Sequence, residues 1–194
     1  MRPVALRALT IWALAPILAL PIRAGAVESF TLDPTHTFPS FEIRHQGIST
    51  MRGKFNRTRG KVVLDPEGKS NLIDVTVDAA SVDTGLDDLN QKLRGGAFFN
   101  VGRYPDVRFV ATQVTYRDGA PVSAEGQLTL LGRTNPVSLE IRDYACTLQF
   151  LTRRPMCGAD VHTVIKRSDY GMSFGLPLIG DEVRLAIEVE GFKD

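Results

Sequence analysis

Cysteine is scarce in this chain of 194 residues: there are two, Cys146 and Cys157, and they lack the C-x-x-C spacing that tunes a reactive thiol pair. Histidine is nearly as scarce, with only His36, His45 and His162. No H-E-x-x-H and no cysteine–histidine cluster supplies a standard metal-ligand set. His36 and His45 are nine positions apart; in one strand they would fall on opposite faces, roughly 30 Å apart along the chain. No metal and no cofactor is expected. G-x-S-x-G is absent, and Gly68-Lys69-Ser70 lacks the first glycine of a phosphate-binding loop, since position 63 is Val63. Arg167-Ser168-Asp169 offers an ion pair and a turn but no catalytic base. The chain is not expected to be an enzyme.

Long apolar runs are missing beyond the N-terminus. Residues 1–26 carry Arg2 and Arg7, an apolar run from Leu9 to Leu20 and then Ala24-Gly25-Ala26, the pattern of a secretory signal peptide cleaved after Ala26. The run is about a dozen residues where a spanning helix needs roughly 20, so stable membrane insertion is not expected. Removing 1–26 takes three of the 23 basic residues and none of the 22 acidic ones, leaving 20 against 22, a net charge of −2 over 168 residues. There is no run of five or six like charges, so neither a basic tail nor a nucleic-acid partner is indicated. One domain, 27–194, is expected, long enough for a real core. Export places both cysteines in an oxidising compartment, where a Cys146–Cys157 disulfide would stabilise the fold by roughly 2–3 kcal/mol.

What the chain has in quantity is period-two alternation, the mark of strands with one buried face. Combs run through Phe41, Ile43 and His45; Ile73, Val75 and Val77; and Val107, Phe109 and Ala111. Others run through Val122, Ala124, Gly126, Leu128 and Leu130; Val137, Leu139 and Ile141; Ala159, Val161, Thr163 and Ile165; and Val183, Leu185, Ile187 and Val189. With Met51 to Leu64, interrupted by Gly53 and Gly60, this makes about eight strands. Asn56-Arg57-Thr58, which matches a glycosylation acceptor, reads as strand surface. Turns are expected at Asp65-Pro66-Glu67-Gly68, Asp118-Gly119 and Gly132 to Pro136, and such short breaks imply antiparallel hairpins. From Thr84 to Gly95 the pattern turns helical: Thr84 as cap, Leu86, Leu89 and Leu93 on one face, Gly95 as the stop. The expected fold is all-β, an eight-stranded antiparallel up-and-down barrel with one short helix between strands 3 and 4, in preference to a two-sheet sandwich. Its inward set is almost wholly uncharged, which fits either a packed core or a pocket for an apolar chain.

Five stretches, LDPTHTFPSFEIRHQGIST (32–50), GKFNRTRGKVVLDPE (53–67), LNQKLRGGAFFNVGRYPDVRF (89–109), GQLTLLGRTNPVSLEI (126–141) and IKRSDYGM (165–172), in this order and spacing resemble the YceI-like family of polyisoprenoid-binding proteins. The resemblance implies a lipocalin-like barrel in the bacterial periplasm, without catalysis. Its elongated lumen would hold a long isoprenoid lipid such as a polyprenyl phosphate or a quinone tail. The ligand-binding residues would be Phe41, Ile43, His45, Phe55, Phe98, Phe99, Phe109 and Leu128, with His45 toward the lumen or its rim. His36 would belong to a hydrogen-bonded D-x-x-H turn. Homodimers are known in the family. Arg133 stands where the family commonly has an apolar residue, which leaves head-group preference open. The competing expectation is a barrel with a filled core that works through its surface, as an interaction or stress-protective protein.

Overall fold

The computed structural model describes residues 26–194; the expected signal segment, apart from Ala26, lies outside them. The strands are β1 (Glu28–Leu32), β2 (Phe38–His45), β3 (Ser49–Phe55), β4 (Thr58–Leu64), β5 (Leu72–Asp78), β6 (Val82–Asp83), β7 (Asp106–Arg117), β8 (Ala120–Leu130), β9 (Arg133–Leu148), β10 (Pro155–Lys166) and β11 (Ile179–Lys193). One α-helix, α1 (Asp87–Arg94), and two 3-10 turns, Ala79–Ser81 and Arg167–Tyr170, complete the described elements.

These eleven segments build eight staves. Along one edge of β11, β2 pairs with Ile179 to Glu188 and β1 with Gly191 to Lys193, so β1 and β2 are one stave bent at residues 33–37. β3 and β4 follow them as the second stave, and β5 with β6 as the third. β7, β8, β9, β10 and β11 follow in chain order, and β11 returns to β1 and β2. Every pairing is antiparallel. The result is a closed eight-stranded antiparallel barrel, in which no long edge is left open.

Turn chemistry sets the hairpins. Asp118-Gly119 and Leu131-Gly132 each hold both residues at positive φ, between 52° and 82°, the conformation of a two-residue hairpin turn whose twist matches the strands. The second turn is therefore shorter than expected: Pro136 lies inside β9, opposite Gln127, and not in the break. At the β4–β5 hairpin the Asp65 carboxylate accepts from the Glu67, Lys69 and Ser70 backbone N–H groups and from Ser70 Oγ, and this hydrogen bonding holds its pKa below the ordinary value.

Three local expectations change. The β8 comb slips at its start: a register shift between the Thr115–Ser123 and Tyr116–Pro121 pairs puts Pro121, not Val122, against the interior. Thr84 does not cap α1. Its N–H and Oγ1 both donate to Asn90 Oδ1, at 2.8 and 2.9 Å, and the N-cap position is Leu86, with no side-chain cap bond. A buried asparagine within the helix thus ties down the incoming strand, which no local pattern announces. Leu86 is correspondingly 58% exposed, while Leu89 and Leu93 face the barrel interior. Gly95 ends the helix as expected.

Cys146 and Cys157 are directly opposite one another on β9 and β10 and are joined as a disulfide. On β8, Gly126 lets the Phe109 ring lie flat across it; a Cβ there would strike that ring and stand 2.6 Å from the Val110 carbonyl oxygen. Because that oxygen is backbone, Gly126→Ala should cost about 1–3 kcal/mol, measured by urea unfolding. A variant as stable as the parent would mean the ring and the strand yield freely.

Candidate functional site

The interior of the barrel is an elongated cavity of about 320 Å³, walled by apolar side chains from all eight staves and from α1. The alternation of the combs produces this wall directly. On β10 it is built from Cys157, Ala159, Val161, Thr163 and Ile165, and on β11 from Ile179, Val183, Leu185, Ile187, Val189 and Gly191. Along β11 the lining runs from Ile179 to Gly191, thirteen residues, on the order of 40 Å of extended strand and roughly 30 Å along the axis of a barrel whose strands tilt about 40°. A cavity of this length and modest volume is narrow, the shape of a chain and not of a compact cofactor.

Of the eight residues expected to bind ligand, seven line this cavity: Phe41, Ile43, Phe55, Phe98, Phe99, Phe109 and Leu128. His45 does not. It ends β2, half-buried, between Ser49 and Ile179, outside the lining set. At the α1 end the rings of Phe41, Phe55 and Phe99 form a continuous file, with centroid separations of 5.9 and 5.3 Å. Phe98 meets Phe174 edge-on at 5.4 Å, joining the loop after α1 to the loop before β11. Leu89 and Leu93 close the wall beside Phe99.

Polar residues also stand in this wall, Thr37, Arg52, Thr58, Thr84, Thr163 and Arg167 among them, and two of these bear on its chemistry. Arg167 is 2% exposed and lines the cavity. Its guanidinium donates to four backbone carbonyls, those of Gly180 (2.8 Å), Met172 (2.9 Å), Phe174 (3.0 Å) and Ile179 (3.0 Å). Burial pulls its pKa down and the nearby Asp181 charge opposes that, while Asp181 itself accepts from the Ser168 N–H and Oγ. The signal for Arg167 was parity: the inward series 159, 161, 163, 165 continues to 167. It was obscured because a charged residue ends an apolar comb.

The second is Thr58, on the inward face of β4 and not on the strand surface. Its Oγ1 is buried with no hydrogen-bond partner among the described residues. An unsatisfied buried hydroxyl costs about 1–3 kcal/mol, so Thr58→Val should keep or raise the stability of the ligand-free protein by about 1 kcal/mol. A melting temperature well below the parent's would show that the hydroxyl has a partner after all.

The histidines lie apart: His36 in the bend between β1 and β2, His45 at the far end of β2, and His162 on β10 with its side chain off the cavity wall. His36 sits with Asp33 and Glu190, their ligand atoms within 4.8 Å of one another. Hydrogen bonding accounts for the group. Asp33 Oδ1 accepts from the Thr35 N–H and Oγ1, and Oδ2 accepts from His36 Nδ1 at 2.8 Å, so the proton lies on Nδ1. That bond, followed by the neighbouring carboxylate charges, raises the His36 pKa. Burial works to raise the Asp33 pKa, but the bonds from Thr35 and His36 outweigh it and hold the carboxyl below its ordinary value. The result is a pinned turn at the bend of the first stave.

Comparisons with known proteins agree with this architecture. The family model described as the YceI-like domain matches residues 30–191. A UPF0312 protein of Pseudomonas paraeruginosa is 32% identical over 163 residues, covering 81% of this chain and 82% of its own length. Among solved structures, the YCEI protein of Campylobacter jejuni superposes with a TM-score of 0.65 at 27% identity, over 78% of this chain and 90% of that one. A polyisoprenoid binding domain from Saccharophagus degradans, implicated in plant cell wall breakdown, superposes with a TM-score of 0.64 at 19% identity, over 86% and 99%. A match across nearly every strand of the barrel, in sequence as well as in shape, places this chain in the YceI-like family.

Proposed function

We propose that this protein is a non-catalytic carrier or sequestering protein for a long-chain isoprenoid lipid, exported to the bacterial periplasm by residues 1–26 and holding its ligand in the lumen. The observation that carries this reading is the cavity: about 320 Å³, drawn out along the barrel and walled by apolar side chains. Ligand pockets run from roughly 300 to 1,000 Å³, and a filled core would leave no space of this size. Each buried methylene contributes about 0.8 kcal/mol, so a long hydrocarbon overcomes an association cost on the order of 4–15 kcal/mol through the wall alone. The wall needs no charged groups for this. The family resemblance and the Saccharophagus degradans neighbour, itself named a polyisoprenoid binding domain, support the choice of an isoprenoid over a fatty acyl chain.

The test is to purify the protein from its native-type periplasm, extract it with organic solvent and analyse the extract by mass spectrometry. A polyprenyl species near one per chain, or one per dimer, is the expected result and names the ligand. A clean extract from folded protein would sink the carrier reading and leave a barrel that acts through its surface.

A further inference from the structure

We propose that the β9–β10 hairpin is a membrane-docking tip, which seats on an anionic bilayer with Phe150 and Leu151 at the acyl boundary and Arg153 and Arg154 among the lipid phosphates. The two tip hydrophobics are 86% and 80% exposed, among the most exposed large apolar side chains of the described residues. They occupy the corner of the turn, positions that hairpins ordinarily fill with glycine, asparagine, aspartate or proline.

The corner is held rigid in this presentation. Gln149 Oε1 accepts from the Thr152 N–H at 2.6 Å and from Thr152 Oγ1 at 2.9 Å, while Gln149 N–H donates to the Arg154 carbonyl and Arg153 N–H to the Gln149 carbonyl. Two rungs behind the last pair, Leu148 with Pro155, the Cys146–Cys157 disulfide ties the two strands together. A tip ordered before contact loses little entropy on docking.

Charge selects the occupant. From Tyr144 to Ala159 there is no acidic residue, and the only charges are Arg153 and Arg154. Both are exposed, and neither forms an ion pair with a carboxylate among the described residues. Arg154 is braced over the Phe192 ring, 4.4 Å from its centroid. Apolar side chains flanked by unpaired cations match an interfacial, anionic lipid surface. A second copy of this chain meeting tip to tip would oppose arginine to arginine. The hairpin lies at the opposite end of the barrel from α1, since the α1 end is marked by the β10–β11 connection that Phe98 touches through Phe174. The inference does not depend on what the lumen holds.

The experiment is vesicle flotation with the chain from Val27 onward, which contains every strand of the barrel. Vesicles of phosphatidylcholine containing phosphatidylglycerol are compared with phosphatidylcholine alone. Expected is salt-sensitive binding to the anionic vesicles only. Arg153→Gln/Arg154→Gln should weaken it about thirtyfold, about fivefold for each cation near an anionic surface. Phe150→Ser/Leu151→Ser should lower it at least as far. Both double variants should melt with the parent, because the replaced side chains are exposed. Absence of parent binding, or full binding by the serine variant, overturns the proposal. So does a parent dimer in solution that the serine variant dissociates without changing vesicle affinity, which would make the tip an interface between copies.

Discussion

Arg167→Met should lower the stability of the barrel by about 4 kcal/mol or more, a fall in melting temperature of roughly 10 °C for a domain of this size. Methionine approximates the length of the stem but donates no hydrogen bond. The carbonyls of Gly180, Met172, Phe174 and Ile179 would all lose their donor at once. Each buried carbonyl left without a partner costs about 1–3 kcal/mol unless water reaches it, and the guanidinium is 2% exposed. Arg167→Lys should recover only part of the loss, because an ammonium has three donors on one nitrogen and cannot span four acceptors set around a planar fork. Amide exchange should rise first in the segment from Met172 to Gly180, which these bonds hold against the mouth of the barrel. If Arg167→Met melts within a degree or two of the parent, the carbonyls are satisfied by other means and the arginine is free for another role.

Val161→Trp should empty the lumen without unfolding it. Val161 is 9% exposed, lies between Ile141 and Ile187, and points into the cavity from the middle of β10. An indole there projects across a narrow channel and uses space that is already apolar, so the melting temperature should change by only a few degrees. Lipid recovered by solvent extraction should fall at least tenfold, whereas Val161→Ala, which widens the channel, should retain it. Wild-type lipid content in a folded Val161→Trp protein would place the ligand outside the barrel. Phe109→Asp is a harsher version of the same experiment: a charge among Leu128, Leu139 and the Phe109 neighbours opposes an apolar ligand directly.

The combs at Ile73, Val107, Val137, Ala159 and Val183 made the inward faces of the strands legible from spacing alone, because a two-residue period leaves only two possible assignments. The same rule placed Phe41, Ile43, Phe109 and Leu128 on inward faces, whereas Phe55, Phe98 and Phe99, outside the combs, were indicated only by the family resemblance. The rule failed where tertiary geometry overrides parity. Val122 lost its inward position to Pro121 through a one-residue slip. Thr84 gave up the cap to become the acceptor's partner at Asn90, a contact that exists only once the helix has folded back. His45 has inward parity, yet it is outside the lining although Ile179, its partner on β11, belongs to it. Thr58 looked like surface because a polar residue next to Arg57 and Arg59 carries no apolar signal, although it keeps even-numbered register with Val62 and Leu64.

The seam between β1 and β11 joins the first and last strands of the barrel. Phe30 faces Lys193, the Asp194 N–H donates to the Ser29 carbonyl, and the Asp194 carboxylate accepts from Ser29 Oγ and Thr31 Oγ1 across 165 and 163 residues of sequence. The first stave therefore waits for the last. During synthesis the seven earlier staves can form hairpins in order, but the ring stays open until β11 emerges. Contacts of such long range form late and slowly. A chain cut short before β11 would be left with two unpaired edges and an interior exposed to water, so β11 acts as a checkpoint that separates closed barrels from open ones.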